Sequence, residues 1–392
     1  MQPDRSPTLN YPSLPLAEME ARITRFEERV SAAQQKHPPT KQWVRQALRR
    51  QGAARCAVRI KRLSLDIIAR YGDKLADLFC QYPDDVVFAA PYELGMGFQP
   101  RDLERQERLT PVRALLQAAR WVDEWGTTWA HAFGGVGATS VAYPIQNWSQ
   151  LDAYLSARIP DPFAAGRLDG LRSAVAMHGQ TKYIVGVIHL ALFERMHMLR
   201  GMENLFEDFY AHPREVHRLA EAVADYTVGM VRAMAQAGVD AVFLTDDWGS
   251  QTALMISLPM WREFFAAHYR RIFAEAHRHG LEAIFHSCGN VTDIVSDLIE
   301  LGADGIDPLQ PEAMDIAALA RRFGGRVAFC GGISDQELVA YTPAQVRAHV
   351  RQAIATLGQP CGHAYIVAPS NILPPEIPLE NLQALFEAAH QA

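Results

Sequence analysis

The chain has 392 residues, 49% of them hydrophobic, with 38 Lys and Arg against 44 Asp and Glu for a net charge of −6. That is enough apolar chain for one large barrel with an appendage or for two ordinary domains, and the mild acidity without a basic stripe excludes nucleic acid as the expected partner. No apolar run approaches the roughly 20 residues needed to span a bilayer, and five widely spread cysteines do not make a disulfide framework.

Residues 1–15 are polar and proline-containing without a signal-type apolar core, which predicts a flexible leader on a cytoplasmic protein. From Leu16 to Gln35, Met19, Ile23, Phe26 and Val30 fall on one helical face, and Trp43 to Arg50 reads as a second helix. Ala57 to Ile60 reads as a brief strand. Residues 16–80 are accordingly expected to form an N-terminal helical cap, and residues 81–392 the main body.

The texture changes at Val86 to Ala90, a continuous apolar run suited to a strand covered on both faces, which ends in Pro91, Tyr92 and Glu93. Trp125 to Trp129, the glycine turn Gly134-Gly135-Val136-Gly137 and Val141 to Pro144 predict a β-hairpin insertion. Those glycines match neither GxGxxG nor a Walker loop, so a turn is the better reading than a phosphate cradle.

After Leu151 strand and helix alternate. Strands are predicted at Tyr183–Ile188, Val239–Leu244, Leu281–Phe285, Ala303–Ile306, Arg326–Phe329 and His363–Val367, arriving roughly every 20 to 45 residues. Six or seven such units with right-handed crossovers favour a closed (β/α)8 TIM barrel over an open doubly wound sheet.

Every polar cluster then falls at the carboxyl end of a proposed strand. These are Tyr92 and Glu93; His189; Asp246 and Asp247; His286, Cys288 and Asn290; Asp307 and Gln310; Cys330; and Ser370 and Asn371. A barrel would gather them around one pocket. Singly, each has a plain structural explanation: Asp246 and Asp247 could cap a helix, and Gly331-Gly332 could only admit a close backbone.

His286 and Cys288, two residues apart at a strand edge, can face one pocket because side chains alternate along an extended chain. Together they could hold zinc, although His-x-Cys supplies only two of the three or four ligands needed. The competing reading is a buried thiol beside a hydrogen-bonded core histidine. Without zinc, His286 is a candidate general acid or base, with Asp246 or Asp247 as its partner.

The run His286-Ser287-Cys288-Gly289-Asn290, then Leu301-Gly302-Ala303-Asp304, Asp307-Pro308-Leu309-Gln310-Pro311, Phe329-Cys330-Gly331-Gly332-Ile333 and Tyr365 to Asn371, resembles the uroporphyrinogen decarboxylase superfamily. That superfamily includes zinc-dependent methyltransferases acting between a corrinoid protein and a thiol. The resemblance implies a (β/α)8 fold, often dimeric. Its methyltransferase branch holds zinc by His-x-Cys and a distant cysteine. His286 and Cys288 match the first two, the aligned third position holds Asn371, and Cys330 is the substitute expected to complete the metal set.

The decarboxylase branch carries an Arg-Gln-Ala-Gly-Arg-Tyr segment and an aspartate near the start of the barrel. The segment has no match here, and Asp85 is the nearest counterpart of the aspartate. Methyl transfer or O-demethylation is therefore the expected activity, on a small-molecule substrate, with a corrinoid partner protein and with Asp247, His189 and Asp246 as catalytic candidates. Tyr92, Glu93, Asn290, Gln310, Ser370 and Asn371 are expected to bind substrate. The alternatives are a uroporphyrinogen decarboxylase-type lyase and a non-catalytic barrel that binds a corrinoid or small molecule.

Overall fold

The computed structural model describes residues 16–91, 120–132 and 137–391. Its strands in chain order are β1 Ala57–Val58, β2 Val86–Ala89, β3 Arg120–Val122, β4 Thr128–Ala132, β5 Gly137–Ala142, β6 Tyr183–Ile188, β7 Ala241–Thr245, β8 Glu282–His286, β9 Gly305–Leu309, β10 Ala328–Ile333 and β11 Tyr365–Pro369. Eight of them form one parallel sheet in the order β1-β11-β10-β9-β8-β7-β6-β2. With helices between successive strands this is the predicted (β/α)8 barrel. Strands β3, β4 and β5 make a separate antiparallel sheet, the expected hairpin with one further strand. The leader, Tyr92, Glu93 and the glycines at 134 and 135 lie outside the described residues.

Ala57–Val58, read from sequence as part of the cap, pairs in parallel with Ile366 and Val367 and supplies the eighth strand. Its other edge meets β2 through side chains rather than a regular ladder. Val58 N–H donates to Asp85 Oδ2 at 2.8 Å, Asp85 N–H donates to Val58 O at 2.9 Å, and both carboxylate oxygens of Asp84 accept from the N–H groups of Ile60 and Lys61 at 2.8 Å. Two aspartates thus satisfy edge groups that would otherwise be buried without partners.

Strand alternation divides the apolar residues into two cores. Val86, Tyr183, Val185, Val187, Ala241, Phe243, Ile284, Ala328, Cys330 and Ile366 fill the lumen, and a larger cluster lies between the sheet and its helices. Helix Lys41–Leu48 plugs the amino end, with Val44 and Leu48 in the lumen cluster. Lys41 and Arg45 of that helix pair with Asp240 at 2.8 and 2.9 Å. The opposite end is left to the polar strand termini.

Candidate functional site

Three adjacent strands build the centre of the mouth. Parallel pairing sets Thr245 of β7 against His286 of β8, and His286 against Asp307 of β9. His286 and Asp307 share the inward parity of Ile284 and Gly305, so both face the lumen.

His286 is nearly buried, and its Nδ1 lies 2.5 Å from Asp307 Oδ1. Arg59 Nη1 donates to Asp307 Oδ2 at 3.1 Å, and Arg62 Nη1 to Oδ1 at 3.4 Å. Complete burial pushes the Asp307 carboxyl upward, but Arg62, Arg59 and the His286 hydrogen bond outweigh it and hold the group well below the usual carboxylate range. An ionised Asp307 is an acceptor only, so Nδ1 carries a proton toward it and Nε2 is the ring nitrogen that faces the mouth.

Around that nitrogen stand two more donors. Cys288 Sγ is 3.6 Å away and Asp247 Oδ1 3.7 Å. All three donor atoms lie within 4.8 Å of one another, with Asp247 and Cys288 partly exposed and His286 buried. Burial first, and then the Asp247 charge, pushes the Cys288 thiol up to about 12.

Interlocked loops position these groups. Cys288 N–H donates to Asp247 Oδ1 at 2.8 Å, Trp248 N–H to Ser287 Oγ at 2.8 Å, and Asn290 N–H to Ser250 O at 2.7 Å. The two backbones touch at Gly249 and Gly289. A Cβ on Gly289, whose φ is +77°, would collide with Gly249 O, and one on Gly249 would collide with Gly289 and Asn290 backbone.

Two of the sequence candidates stand outside this group. Asp246, a catalytic candidate from sequence, is wholly buried and turned away from this group: it accepts from the N–H groups of Phe193 and Glu194 at 3.0 and 2.7 Å and from the Tyr269 hydroxyl. It caps helix Phe193–Arg200, as the plainer reading allowed. Burial raises its carboxyl to about 6.

Cys330, expected as a third zinc ligand, is absent from the donor cluster found among the described residues. Strand β10 continues through Gly331 and Gly332 to Ile333, so Cys330 sits in mid-strand within the lumen core rather than at its mouth. Burial, then the Asp307 charge, raises that thiol well above its ordinary value.

The other candidates are scattered around the rim. His189 follows β6 and is exposed. Enclosure by the walls of the mouth, then His286 and Arg195, pushes its ring below the ordinary value, an effect weakened by the solvent that reaches it. Gln310 Oε1 accepts from Gly289 N–H at 2.9 Å, and Asn290 Nδ2 donates to Thr252 O at 3.2 Å, so both brace the Cys288 loop. Ser370 is buried and donates to Asp335 at 2.9 Å, while Asn371 Oδ1 accepts from Ile372 N–H at 2.7 Å. Asp85 precedes β2 at the opposite rim, held by both terminal nitrogens of Arg55 at 2.8 Å, and does not face the mouth.

Sequence reasoning missed Glu194, Arg59 and Arg62. Glu194 accepts from Thr245 Oγ1 at 3.3 Å; burial and then the Asp247 and Asp246 charges raise its carboxyl well above the ordinary range. The arginines follow β1 directly, a signal hidden by assigning that strand to the cap.

An imidazole nitrogen, a thiol and a carboxylate are all zinc ligands, and here the three converge. The donor set fits a borderline-soft divalent metal held by His286 and Cys288.

A uroporphyrinogen decarboxylase (URO-D) family model matches residues 133–392. Among curated relatives, a uroporphyrinogen decarboxylase of Pseudomonas paraeruginosa is 30% identical over 192 residues, 46% of this chain and 50% of that protein. One of Rhodococcus opacus is 33% identical over 197 residues, 49% of this chain and 52% of that protein. The chain thus spans about half the length of these relatives. A solved methyltransferase from Methanosarcina mazei superposes over 91% of this chain and 99% of its own, with a TM-score of 0.64 at 15% identity, a likeness of fold. Among the described residues no helix is long and apolar enough to cross a membrane.

Proposed function

Given that the chain belongs to the uroporphyrinogen decarboxylase family, a family of enzymes, we propose that it is a metal-dependent methyltransferase that moves a methyl group onto a small thiol. The observation that carries this reading is the approach of His286 Nε2 and Cys288 Sγ to 3.6 Å at the carboxyl mouth of the barrel. Those are the two atoms that would hold a zinc ion. Zinc, when bound, would stabilise a thiol substrate as its thiolate at neutral pH.

The protein's own groups do the rest. Asp307, ionised between Arg59 and Arg62, fixes the His286 ring through Nδ1 and turns Nε2 toward the mouth. Asp247 orients the Cys288 loop through the Cys288 amide. His189, at the rim and open to solvent, would in this reading accept a proton from an incoming substrate. The methyl donor in this reading is a corrinoid on a partner protein or a methoxy compound.

Decarboxylation is the second reading, favoured by the names of the curated relatives. Against it, Arg59 and Arg62 are both engaged by Asp307, and Asp85 lies at the wrong end of the barrel for a pyrrole contact. Purified protein should transfer methyl groups from methylcobalamin to small thiols and bind zinc stoichiometrically, with both properties lost in His286→Ala and Cys288→Ala. Appreciable turnover of uroporphyrinogen, with no zinc retained, would reverse the assignment.

A further inference from the structure

We propose that Asp247 is the third protein ligand of this metal, giving a His286–Cys288–Asp247 site of one nitrogen, one sulfur and one oxygen. The proposal rests on the metal-dependent reading above and goes beyond it, because it assigns the ligand that the His-x-Cys pattern leaves open and moves it to the loop after β7.

Donor spacing is the first ground. A tetrahedral ion with bonds of about 2.3 Å to sulfur and about 2.05 Å to nitrogen separates those two donors by about 3.6 Å, and nitrogen and oxygen donors by about 3.4 Å. Here His286 Nε2 is 3.6 Å from Cys288 Sγ and 3.7 Å from Asp247 Oδ1. The remaining pair, carboxylate and sulfur, also lies within 4.8 Å. Two of the three edges therefore already match those of a tetrahedral face, and the third is bounded by the same small cluster.

The second ground is that the triangle is held by the backbone. Asp247 Oδ1 accepts the Cys288 amide, and Trp248 and Asn290 tie the same two loops together on either side of it. One N–H bond does not exhaust a carboxylate, whose two oxygens offer about four lone-pair sites. Asp247 can hold the loop and bind a cation together. The Gly249 and Gly289 contact, which admits no Cβ on either side, brings β7 and β8 close enough for one ion to bridge them.

The third ground is the elimination of the sulfur and amide alternatives. Cys330 is sealed in the lumen core outside the cluster, and Asn371 Oδ1 is occupied by the Ile372 amide. With every protein ligand at the end of β8 or in the loops that follow β7 and β8, the β10 and β11 side of the mouth is left for the substrate. The fourth coordination position belongs to the substrate, as in catalytic zinc sites with three protein ligands.

An oxygen ligand in place of a second sulfur also makes the site less thiophilic, so cobalt(II) should replace zinc readily. The test is metal affinity by chelator competition and the visible spectrum of the cobalt(II) protein, measured on the wild type, Asp247→Ala, Asp247→Asn, Cys330→Ala and His286→Ala. Asp247→Asn keeps the oxygen that accepts the Cys288 amide while removing the charge. Thermal melts confirm that each variant is folded.

Wild type and Cys330→Ala should bind one zinc per chain with equal affinity. Both Asp247 variants should lose at least about 100-fold, since even groups that only support a ligand are worth 10- to 100-fold. Their cobalt spectra should shift while retaining the sulfur-to-cobalt band. Wild-type affinity in either folded Asp247 variant, with loss in His286→Ala, overturns the assignment and leaves the metal reading standing. No zinc in reconstituted wild type overturns both.

Discussion

Asp307 is the group whose removal should be felt most. It is fully buried and is the common partner of His286, Arg59 and Arg62. Arg59 has almost no solvent of its own: its guanidinium lies 3.6 Å from the centre of the Phe88 ring and 5.2 Å from that of Phe243, and its Nε has no hydrogen-bond partner. Replacing Asp307 with Asn keeps the shape but leaves Arg59 as a buried charge without a counterion. Breaking a buried pair from one side costs about 3–5 kcal/mol. Urea unfolding at pH 7 should therefore show Asp307→Asn destabilised by about that amount. The double variant Arg59→Met with Asp307→Asn should recover a large part of it, because no buried Arg59 charge then remains. Because the folded carboxyl is held below its ordinary value, its contribution is fully present above the unfolded value near pH 4 and fades as pH falls below that. The Asp307→Asn difference should shrink in the same window. A loss under about 1 kcal/mol at pH 7, or a double variant no better than the single, would refute the description of Asp307 as the anion that this buried arginine requires.

The remaining predictions concern its neighbours. Gly289→Ala should cost roughly 1–3 kcal/mol of backbone strain and abolish metal binding, measured by melting and metal analysis, because the new methyl must push Gly249 and the Cys288 loop apart. Asp246→Asn should weaken folding without displacing the metal ligands. Its folded carboxyl is raised to about 6, so the wild-type group favours folding at low pH and loses that contribution as pH rises from about 4 through 6. A melting series in which Asp246→Asn keeps the wild-type pH profile would exclude that origin. In metal-free protein, iodoacetamide should label Cys288 slowly, with a rate still climbing beyond pH 10, since the thiol is pushed up to about 12. A plateau below pH 9 would contradict that environment.

The parallel barrel was legible because its strands read as unbroken apolar runs, as at Tyr183–Ile188, which is buried at every position. The first strand was not, because its two-residue ladder is too short to leave a pattern and its second edge is satisfied by the side chains of Asp84 and Asp85. The period of two placed His286 and Cys288 in one pocket. What it could not convey was depth: whether a polar residue stands above the last rung or below it depends on where the strand stops. Cys330 was read as the end of a strand that runs three residues further, and so fell into the lumen. Cross-strand register is equally silent in sequence, which is why Asp246 and Asp247 both read as partners for His286 and only the folded chain separates the one beside it from the one that caps a helix.

Closure of the barrel and assembly of the site are one event. Arg59 follows the strand that completes the ring, and its partner Asp307 is 248 residues away on a strand separated from β1 by both β10 and β11. The guanidinium crosses above Phe88 and Phe243, so an ion pair closes the lumen where lower layers are closed by aliphatic and aromatic side chains. An open sheet lacking β1 could still hold β7, β8 and β9 side by side, with His286 and Cys288 in their places. It would lack the two cations that keep Asp307 ionised, and with them the fixed orientation of the imidazole. The sequence feature that joins fold to chemistry is therefore the short run Val58-Arg59-Ile60-Lys61-Arg62, whose backbone completes the cylinder and whose arginines set the charge beneath the mouth.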